Sequence, residues 1–123
     1  MNAKILVVDD DPAVRQLTCV TLESAGFDVV PAADGPQALD AWQASPADLV
    51  VLDNMMPGMT GTEVAQAIRQ NENATTVPIV MLSAMTSDQD QWEGWRAGID
   101  MYVTKPYECD ELIAHVKRLL NQS

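Results

Sequence analysis

The chain has 123 residues, of which 47% are hydrophobic and 20% charged, and this size predicts one domain spanning residues 1–123. Eighteen acidic against seven basic side chains give a formal net charge of −11, which argues against direct binding to nucleic acid or to anionic membrane surfaces. No apolar run approaches the ~20 residues of a membrane span, and the N-terminus lacks the apolar stretch of a signal peptide. We therefore expect a cytoplasmic protein.

Apolar runs of strand length alternate with segments of helical periodicity, which is the pattern of a parallel α/β sheet. In chain order we predict strands near 4–9, 27–31, 48–53, 78–83 and 100–104, and helices near 12–25, 35–44, 60–71, 87–97 and 108–121. The first, third and fourth strands are continuously apolar and predicted as central, whereas the more mixed second and fifth are predicted as edges. Right-handed crossovers then favour a doubly wound, flavodoxin-like sheet in the order 2-1-3-4-5, with its ligand crevice beyond the carboxyl ends of strands one and three.

The first and last predicted helices each carry an apolar stripe at helical spacing, so both should pack on the sheet. The first stripe consists of Val14, Leu17, Thr18, Thr21, Leu22 and Ala25, and the last of Leu112, Ile113, Val116, Leu119 and Leu120. Asp11 and Pro12 are placed as the N-cap and first residue of the first helix, and Gly26 is placed to end it. Cys19 and Cys109 lack a CxxC spacing, and we interpret both as packing residues.

Polar side chains lie at the carboxyl ends of four predicted strands. They are Asp9 and Asp10 after the first strand, Asp53 at the end of the third, Ser83 at the fourth and Lys105 after the fifth. Each alone has a simple explanation, such as a helix cap or a solvated lysine. Together they point to a site, because two carboxylates about 4 Å apart repel by roughly 4 kcal/mol at an effective dielectric of ~20. A divalent cation removes that repulsion, and an oxygen-only ligand set without Cys or His predicts Mg²⁺.

Five segments resemble, in order and spacing, the signature segments of response-regulator receiver domains of two-component signalling. They are Ile5 to Pro12, Asp53 to Gly61, Leu82 to Ala84, Ala97-Gly98, and Tyr102 to Tyr107. Each segment alone is a weak match, but all five in register cover essentially the whole chain. The resemblance implies the (βα)5 receiver fold and a phospho-acceptor that changes shape when it is phosphorylated.

The resemblance also implies roles for the acidic residues. Asp53 would be the phospho-acceptor, Asp10, Asp53 and the backbone carbonyl of Met55 would ligate Mg²⁺, and Asp9 would hold a metal-bound water. This agrees with the chemistry, because a carboxylate that forms an acyl phosphate needs the charge on the incoming phosphoryl oxygens neutralised. Mg²⁺, Lys105 and backbone N–H groups could supply that neutralisation from fixed positions.

Three further positions match the family. Ser83 and Tyr102 resemble its switch pair, in which the hydroxyl moves to bond the phosphoryl group and the aromatic ring turns inward to fill the vacated space. Ala84 is small and leaves room for the phosphoryl group. Ser stands at position 83 where the family more often has Thr.

The implied partners follow from this interpretation. A sensor histidine kinase or a phosphotransfer protein would supply the phosphoryl group, and the surface of the fourth helix, fifth strand and fifth helix would select an output protein or domain. The protein would be a monomer or a phosphorylation-linked dimer. It would catalyse only its own aspartyl phosphorylation and dephosphorylation, and so would not be an enzyme acting on an external substrate.

Two other functions stay open at this point. A Mg²⁺-dependent phosphatase that uses an aspartyl phosphate would carry a second Asp two residues after the nucleophile, where this chain has Met55. A module that only binds a metal would gain nothing from an ammonium such as that of Lys105. As a receiver, the chain is either a natural single-domain regulator or the receiver of a larger protein.

Overall fold

The computed structural model describes residues 2–53, 60–70, 77–83, 98–104 and 108–120. The strands are β1 (Lys4–Val8), β2 (Asp28–Ala32), β3 (Leu49–Asp53), β4 (Ile79–Ser83) and β5 (Met101–Thr104). The helices of these residues are α1 (Pro12–Ser24), α2 (Gly35–Ala44), α3 (Gly61–Arg69) and a C-terminal helix (Cys109–Leu119). No helix in this part of the chain is both long and apolar enough to cross a membrane. The helix predicted at 87–97 lies outside the described residues.

The five strands form one parallel sheet in the order β2-β1-β3-β4-β5, which confirms the predicted topology. β1 and β3 lie side by side, with Val8 opposite Leu52, and β3 pairs with β4 so that Asp53 lies opposite Leu82. The side chains of β3 are buried from Leu49 to Asp53, as expected for a strand with neighbours on both edges and helices on both faces.

Helices cover both faces of the sheet and make two separate cores. On one face α2 and α3 pack over the strands, and Trp42 is the largest fully buried side chain among the residues that the structure describes. On the other face α1 and the C-terminal helix bring Leu22, Leu112 and Val116 against the strands. The molecule is therefore a three-layer α/β/α sandwich, and the carboxyl ends of its strands all open on one rim.

The ends of α1 follow the predicted signals. The Asp11 side chain accepts hydrogen bonds from the N–H groups of Ala13 and Val14, and Pro12 is the first helical residue. Gly26, with φ +96°, follows the C-terminal cap, and its N–H donates to the carbonyl of Glu23 at 3.0 Å. The N-cap places the first turn of α1 directly beside the end of β1.

Two expectations about packing were wrong. Leu17 was predicted on the buried stripe of α1, yet it is 56% exposed, as is Val20, whereas Cys19 is buried. Burial raises the pKa of the Cys19 thiol. Cys109 was predicted as a packing residue and is exposed, with its Sγ 3.3 Å from the hydroxyl of Thr21 on α1. It joins two helices at their surface and contributes nothing to the core.

An ionic cluster fixes the amino ends of β4 and β5. The guanidinium of Arg69, at the end of α3, donates to the carbonyl of Gly98 and to the Asp100 carboxylate, each at 2.7 Å. The same carboxylate oxygen accepts the backbone N–H of Ile79 at 2.7 Å, and the Asp100 N–H donates to the Ile79 carbonyl at 2.9 Å. We call this arrangement the Arg69–Asp100 clamp, and it lies at the end of the sheet opposite the acidic rim.

Candidate functional site

Three carboxylates meet at the carboxyl ends of β1 and β3. Asp53 is the last residue of β3, and Asp9 and Asp10 follow β1, which is its neighbour in the sheet. One oxygen from each lies within 4.8 Å of the others, and we call these residues the acidic triad. Asp9 and Asp53 are only 2% and 6% exposed, whereas Asp10 is exposed. The sequence-predicted acidic residues are thus together, with one open side toward solvent.

Repulsion among the three carboxylates carries an electrostatic cost, and a bound cation lowers it. At the separation of at most 4.8 Å, two charged carboxylates repel by about 3–4 kcal/mol at an effective dielectric of about 20. Burial of Asp9 and Asp53 keeps water from screening that repulsion fully. A donor set of carboxylate oxygens alone, with room on the side of Asp10, fits Mg²⁺, which takes one or two carboxylates and keeps several waters.

The turn from β1 into α1 is held by hydrogen bonds within a few residues. The Asp9 N–H donates to the carbonyl of Ala32 on β2 at 3.1 Å, which continues the sheet one residue past β1. One Asp9 carboxylate oxygen accepts the Asp11 N–H at 2.9 Å. The Asp9 carbonyl accepts Nη1 of Arg15 at 2.9 Å. Sequence reasoning missed Arg15, although its position four residues after Asp11 places it on the next turn of α1, facing back toward β1.

Gly61 belongs to the signature segment from Asp53, but the sequence did not reveal how closely it packs against the end of β3. It is the first residue of α3, after Thr60, whose side chain forms a capping box with Glu63. A Cβ built on Gly61 would lie 2.7 Å from the carbonyl oxygen of Asp53 and 2.7 Å from Sδ of Met81. Its backbone is helical, so glycine is needed here for space and not for a special φ. The sequence held one sign of this role, because glycine is a poor helix former and stands here at the start of a well-capped helix.

The remaining predicted site residues are placed only in part. Ser83 is the last residue of β4, and its backbone lies opposite Thr104 at the end of β5. Tyr102 is half-buried on β5 and packs against the core on the face of α2 and α3. Met55, Ala84 and Lys105 lie outside the described residues, so their predicted roles stay predictions.

Known proteins are similar to this chain in sequence and in structure. The family model described as "Response regulator receiver domain" matches residues 5–117. The "DNA-binding dual master transcriptional regulator RpaA" of Synechocystis is 43% identical over 122 residues, which are 98% of this chain and 50% of that protein. The chemotaxis protein CheY4 of Vibrio cholerae superposes with a TM-score of 0.94 at 36% identity, over 97% of this chain and 99% of that one.

A third protein of similar structure is known with its metal ion bound. The receiver domain of the sensor histidine kinase PA1611 from Pseudomonas aeruginosa, solved with a magnesium ion coordinated in its active site cleft, superposes with a TM-score of 0.90. It is 30% identical, and the match covers 99% of this chain and 100% of that one.

The match to the receiver-domain family model, over a doubly wound sheet with carboxylates at its switch point, places the chain in the two-component signalling class. More particularly, the chain belongs to the family of response regulator receiver domains. It spans about half the length of the curated relatives it matches, between 50% and 53%.

Proposed function

We propose that this chain is a Mg²⁺-dependent phospho-acceptor that receives a phosphoryl group on Asp53 and passes the signal on through a change of shape. The observation that carries the proposal is the acidic triad, in which a nearly buried carboxylate ends β3 within 4.8 Å of two others. Burial of a carboxylate beside like charges is costly, and assembling a nucleophile with its metal ligands gives that cost a function.

The chemistry proposed for Asp53 is nucleophilic transfer. One carboxylate oxygen attacks the phosphorus of a phosphohistidine, the new O–P bond forms as the P–N bond breaks, and the imidazole leaves with the electron pair. The exposed side of the triad, next to Asp10, is where a donor can approach. Hydrolysis later returns Asp53 to the free carboxylate. Lys105 would stabilise the charge on the phosphoryl oxygens, as the family resemblance implies.

The proposed cofactor is Mg²⁺, and the family resemblance implies that Asp10, Asp53 and the carbonyl of Met55 would hold it, while Asp9 would hold a water of the ion. When bound, the ion supplies neutralisation of the charge on the phosphoryl oxygens. The magnesium in the cleft of the PA1611 receiver domain supports this assignment by similarity. Within this chain, the Asp9 N–H donates a hydrogen bond, and the Asp9 carbonyl and carboxylate each accept one. This part of the site is therefore already ordered before the ion binds.

The proposed switch consists of Ser83 and Tyr102, on the neighbouring strands β4 and β5. Phosphorylation would draw the Ser83 hydroxyl to the phosphoryl group and the Tyr102 ring inward, which alters the surface that β5 shares with the flanking helices. A sensor histidine kinase or phosphotransfer protein is the proposed donor, and the receptor of the signal is an output protein or domain. The DNA-binding relatives are about twice as long, which supports an attached output domain as one arrangement.

Incubation with a small acyl phosphate and Mg²⁺ tests the proposal. We expect intact-mass spectrometry to show one added phosphoryl group, and no addition when EDTA removes the metal. The bond should be labile to hydroxylamine, as an acyl phosphate is. A protein that never retains the group but releases phosphate steadily would instead be a phosphatase, and one that binds Mg²⁺ without labelling by any donor would be a metal-binding module. Either result would overturn the proposal.

Mg²⁺ should also raise thermal stability, because it relieves the repulsion within the triad. The expected gain is roughly 1.4 kcal/mol at ten times Kd, which raises Tm by a few degrees. Asp10→Asn should lose most of this gain. Asp28→Asn makes the same change of charge on an exposed residue at the start of β2, remote from the triad, and should respond like the wild type. A wild-type melting curve indifferent to millimolar Mg²⁺ would contradict the three-carboxylate site.

A further inference from the structure

The backbone between Asp9 and Asp10 is held by a side chain from outside the triad. Arg15, on the first turns of α1, is half-buried, and its Nη1 donates to the Asp9 carbonyl at 2.9 Å. That carbonyl belongs to the peptide group whose N–H is that of Asp10. The guanidinium therefore fixes the plane of the peptide that joins two members of the triad.

Asp10 depends on this fixation more than its neighbours do. Asp9 is anchored by its own side chain, which accepts the Asp11 N–H, and by the bond from its N–H to Ala32. Asp10 is exposed, and in the described part of the chain no group donates to its carboxylate. The backbone therefore sets the direction in which the Cα–Cβ bond of Asp10 leaves the turn, and Arg15 holds one side of that backbone.

We infer that Arg15 is a positioning residue for the metal centre, acting by orienting the Asp9–Asp10 peptide so that the Asp10 carboxylate faces Asp53. The inference rests on the proposed function in taking Mg²⁺ as the ligand. The role inferred for Arg15 rests on its bond to the Asp9 carbonyl and needs no contact with the ion or the phosphoryl group. Its own backbone N–H donates to the Asp11 carbonyl at 2.8 Å. Arg15 is therefore hydrogen-bonded to the turn through both its backbone and its side chain.

The charge of Arg15 acts in the opposite direction to its hydrogen bond. A guanidinium bonded to the Asp9 carbonyl places a positive charge beside the turn that carries Asp9 and Asp10, which weakens the attraction of the triad for Mg²⁺, so removing the charge alone would tighten binding. Removing the hydrogen bond frees the Asp9–Asp10 peptide to rotate. Binding of the ion must then restrict that peptide, and the entropy cost of doing so weakens binding. The sign of the change in Mg²⁺ affinity upon substitution therefore distinguishes positioning from simple electrostatics.

The test compares Arg15→Met, Arg15→Lys and Lys4→Met, each with an apparent Kd for Mg²⁺ from melting curves at a series of concentrations. Arg15→Met should bind Mg²⁺ about tenfold more weakly, the usual loss for a partner that orients a ligand. Arg15→Lys keeps a cation and one donor and should recover part of that loss. Lys4→Met removes the same charge at the far end of β1, where Lys4 bonds the Ser45 carbonyl, and should match the wild type.

A second readout does not use the metal. In metal-free protein, amide hydrogen exchange at Asp11, whose N–H donates to the Asp9 carboxylate, should be faster in Arg15→Met than in Lys4→Met, because the turn is released. Unchanged or tighter Mg²⁺ binding by Arg15→Met, or unchanged exchange at this amide, would overturn the inference. If the wild type ignores Mg²⁺, the proposed metal site fails and the exchange experiment still decides the role of Arg15. Should Arg15→Met not fold, Arg15→Lys carries both measurements with the same signs.

Discussion

Asp53→Asn is expected to abolish phosphorylation by acyl phosphates completely while leaving the fold intact. The amide has nearly the same shape as the carboxylate, but its oxygen is a poor nucleophile and it carries no charge for a metal. The substitution also removes one of three neighbouring negative charges. We therefore expect the variant to be more stable than the wild type without Mg²⁺ and to gain less on addition of Mg²⁺.

The measurement is intact mass after incubation with the donor, alongside melting curves with and without Mg²⁺. Asp40→Asn is the matched control, because Asp40 is exposed on α2 and the change in net charge is the same. That variant should label like the wild type. Full labelling of Asp53→Asn would show that another residue accepts the phosphoryl group, and the assignment of Asp53 would then be wrong.

Gly61→Ala should destabilise the protein by about 1–3 kcal/mol, the usual cost of placing an extra methyl group in a well-packed region. The new Cβ would meet Sδ of Met81, which can move, and the carbonyl oxygen of Asp53, which is backbone and can move only with the end of β3. We therefore expect a second effect, namely weaker Mg²⁺ binding, because a shift of β3 at this residue displaces the Asp53 carboxylate. Denaturant unfolding and Mg²⁺-dependent melting measure the two effects.

Gly26→Ala is the control that separates loss of stability from loss of Mg²⁺ binding. Gly26 has φ +96°, and a Cβ on this residue would have no atom within 4 Å, so alanine there costs about 1–2 kcal/mol through backbone strain alone. It lies at the end of α1 away from the triad, and its response to Mg²⁺ should be that of the wild type. Equal Mg²⁺ responses in both glycine variants would mean that Gly61 supports the fold without positioning Asp53.

Sequence periodicity was enough for the architecture because burial on both faces leaves a strong signature in β1, β3 and β4. The order of the sheet followed from that pattern together with the handedness of crossovers. It was not enough for the rotation of α1. Apolar residues occur on several sides of this helix, so a stripe through Leu17 and one through Cys19 fit the sequence almost equally well. Consecutive residues are about 100° apart on a helix, and packing against Leu22 selected the side of Cys19.

The acidic triad was predictable because the residues come directly after strands, and parallel strands bring their carboxyl ends to one rim. The supporting residues were not, since Arg15 and Gly61 act through the backbone carbonyls of Asp9 and Asp53. Every residue has a backbone carbonyl, so contacts with a carbonyl cannot be predicted from the type of residue that carries it. The prediction for Cys109 was wrong for a related reason. A position in the first turn of a helix does not show whether a neighbouring element covers the side chain.

The Arg69–Asp100 clamp has a mechanical consequence. It joins β4 and β5 at their amino ends through a guanidinium, a carboxylate and four backbone groups, while Ser83 and Thr104 end the strands at the opposite rim. β4 is also hydrogen-bonded to β3 and β5 along its length, so the clamp adds side-chain bonds at one end of strands that are already paired. About four residue steps of roughly 3.3 Å each separate Ile79 from Ser83, so the clamp can hold the register of the two strands from the far end of the sheet without occupying space at Asp53.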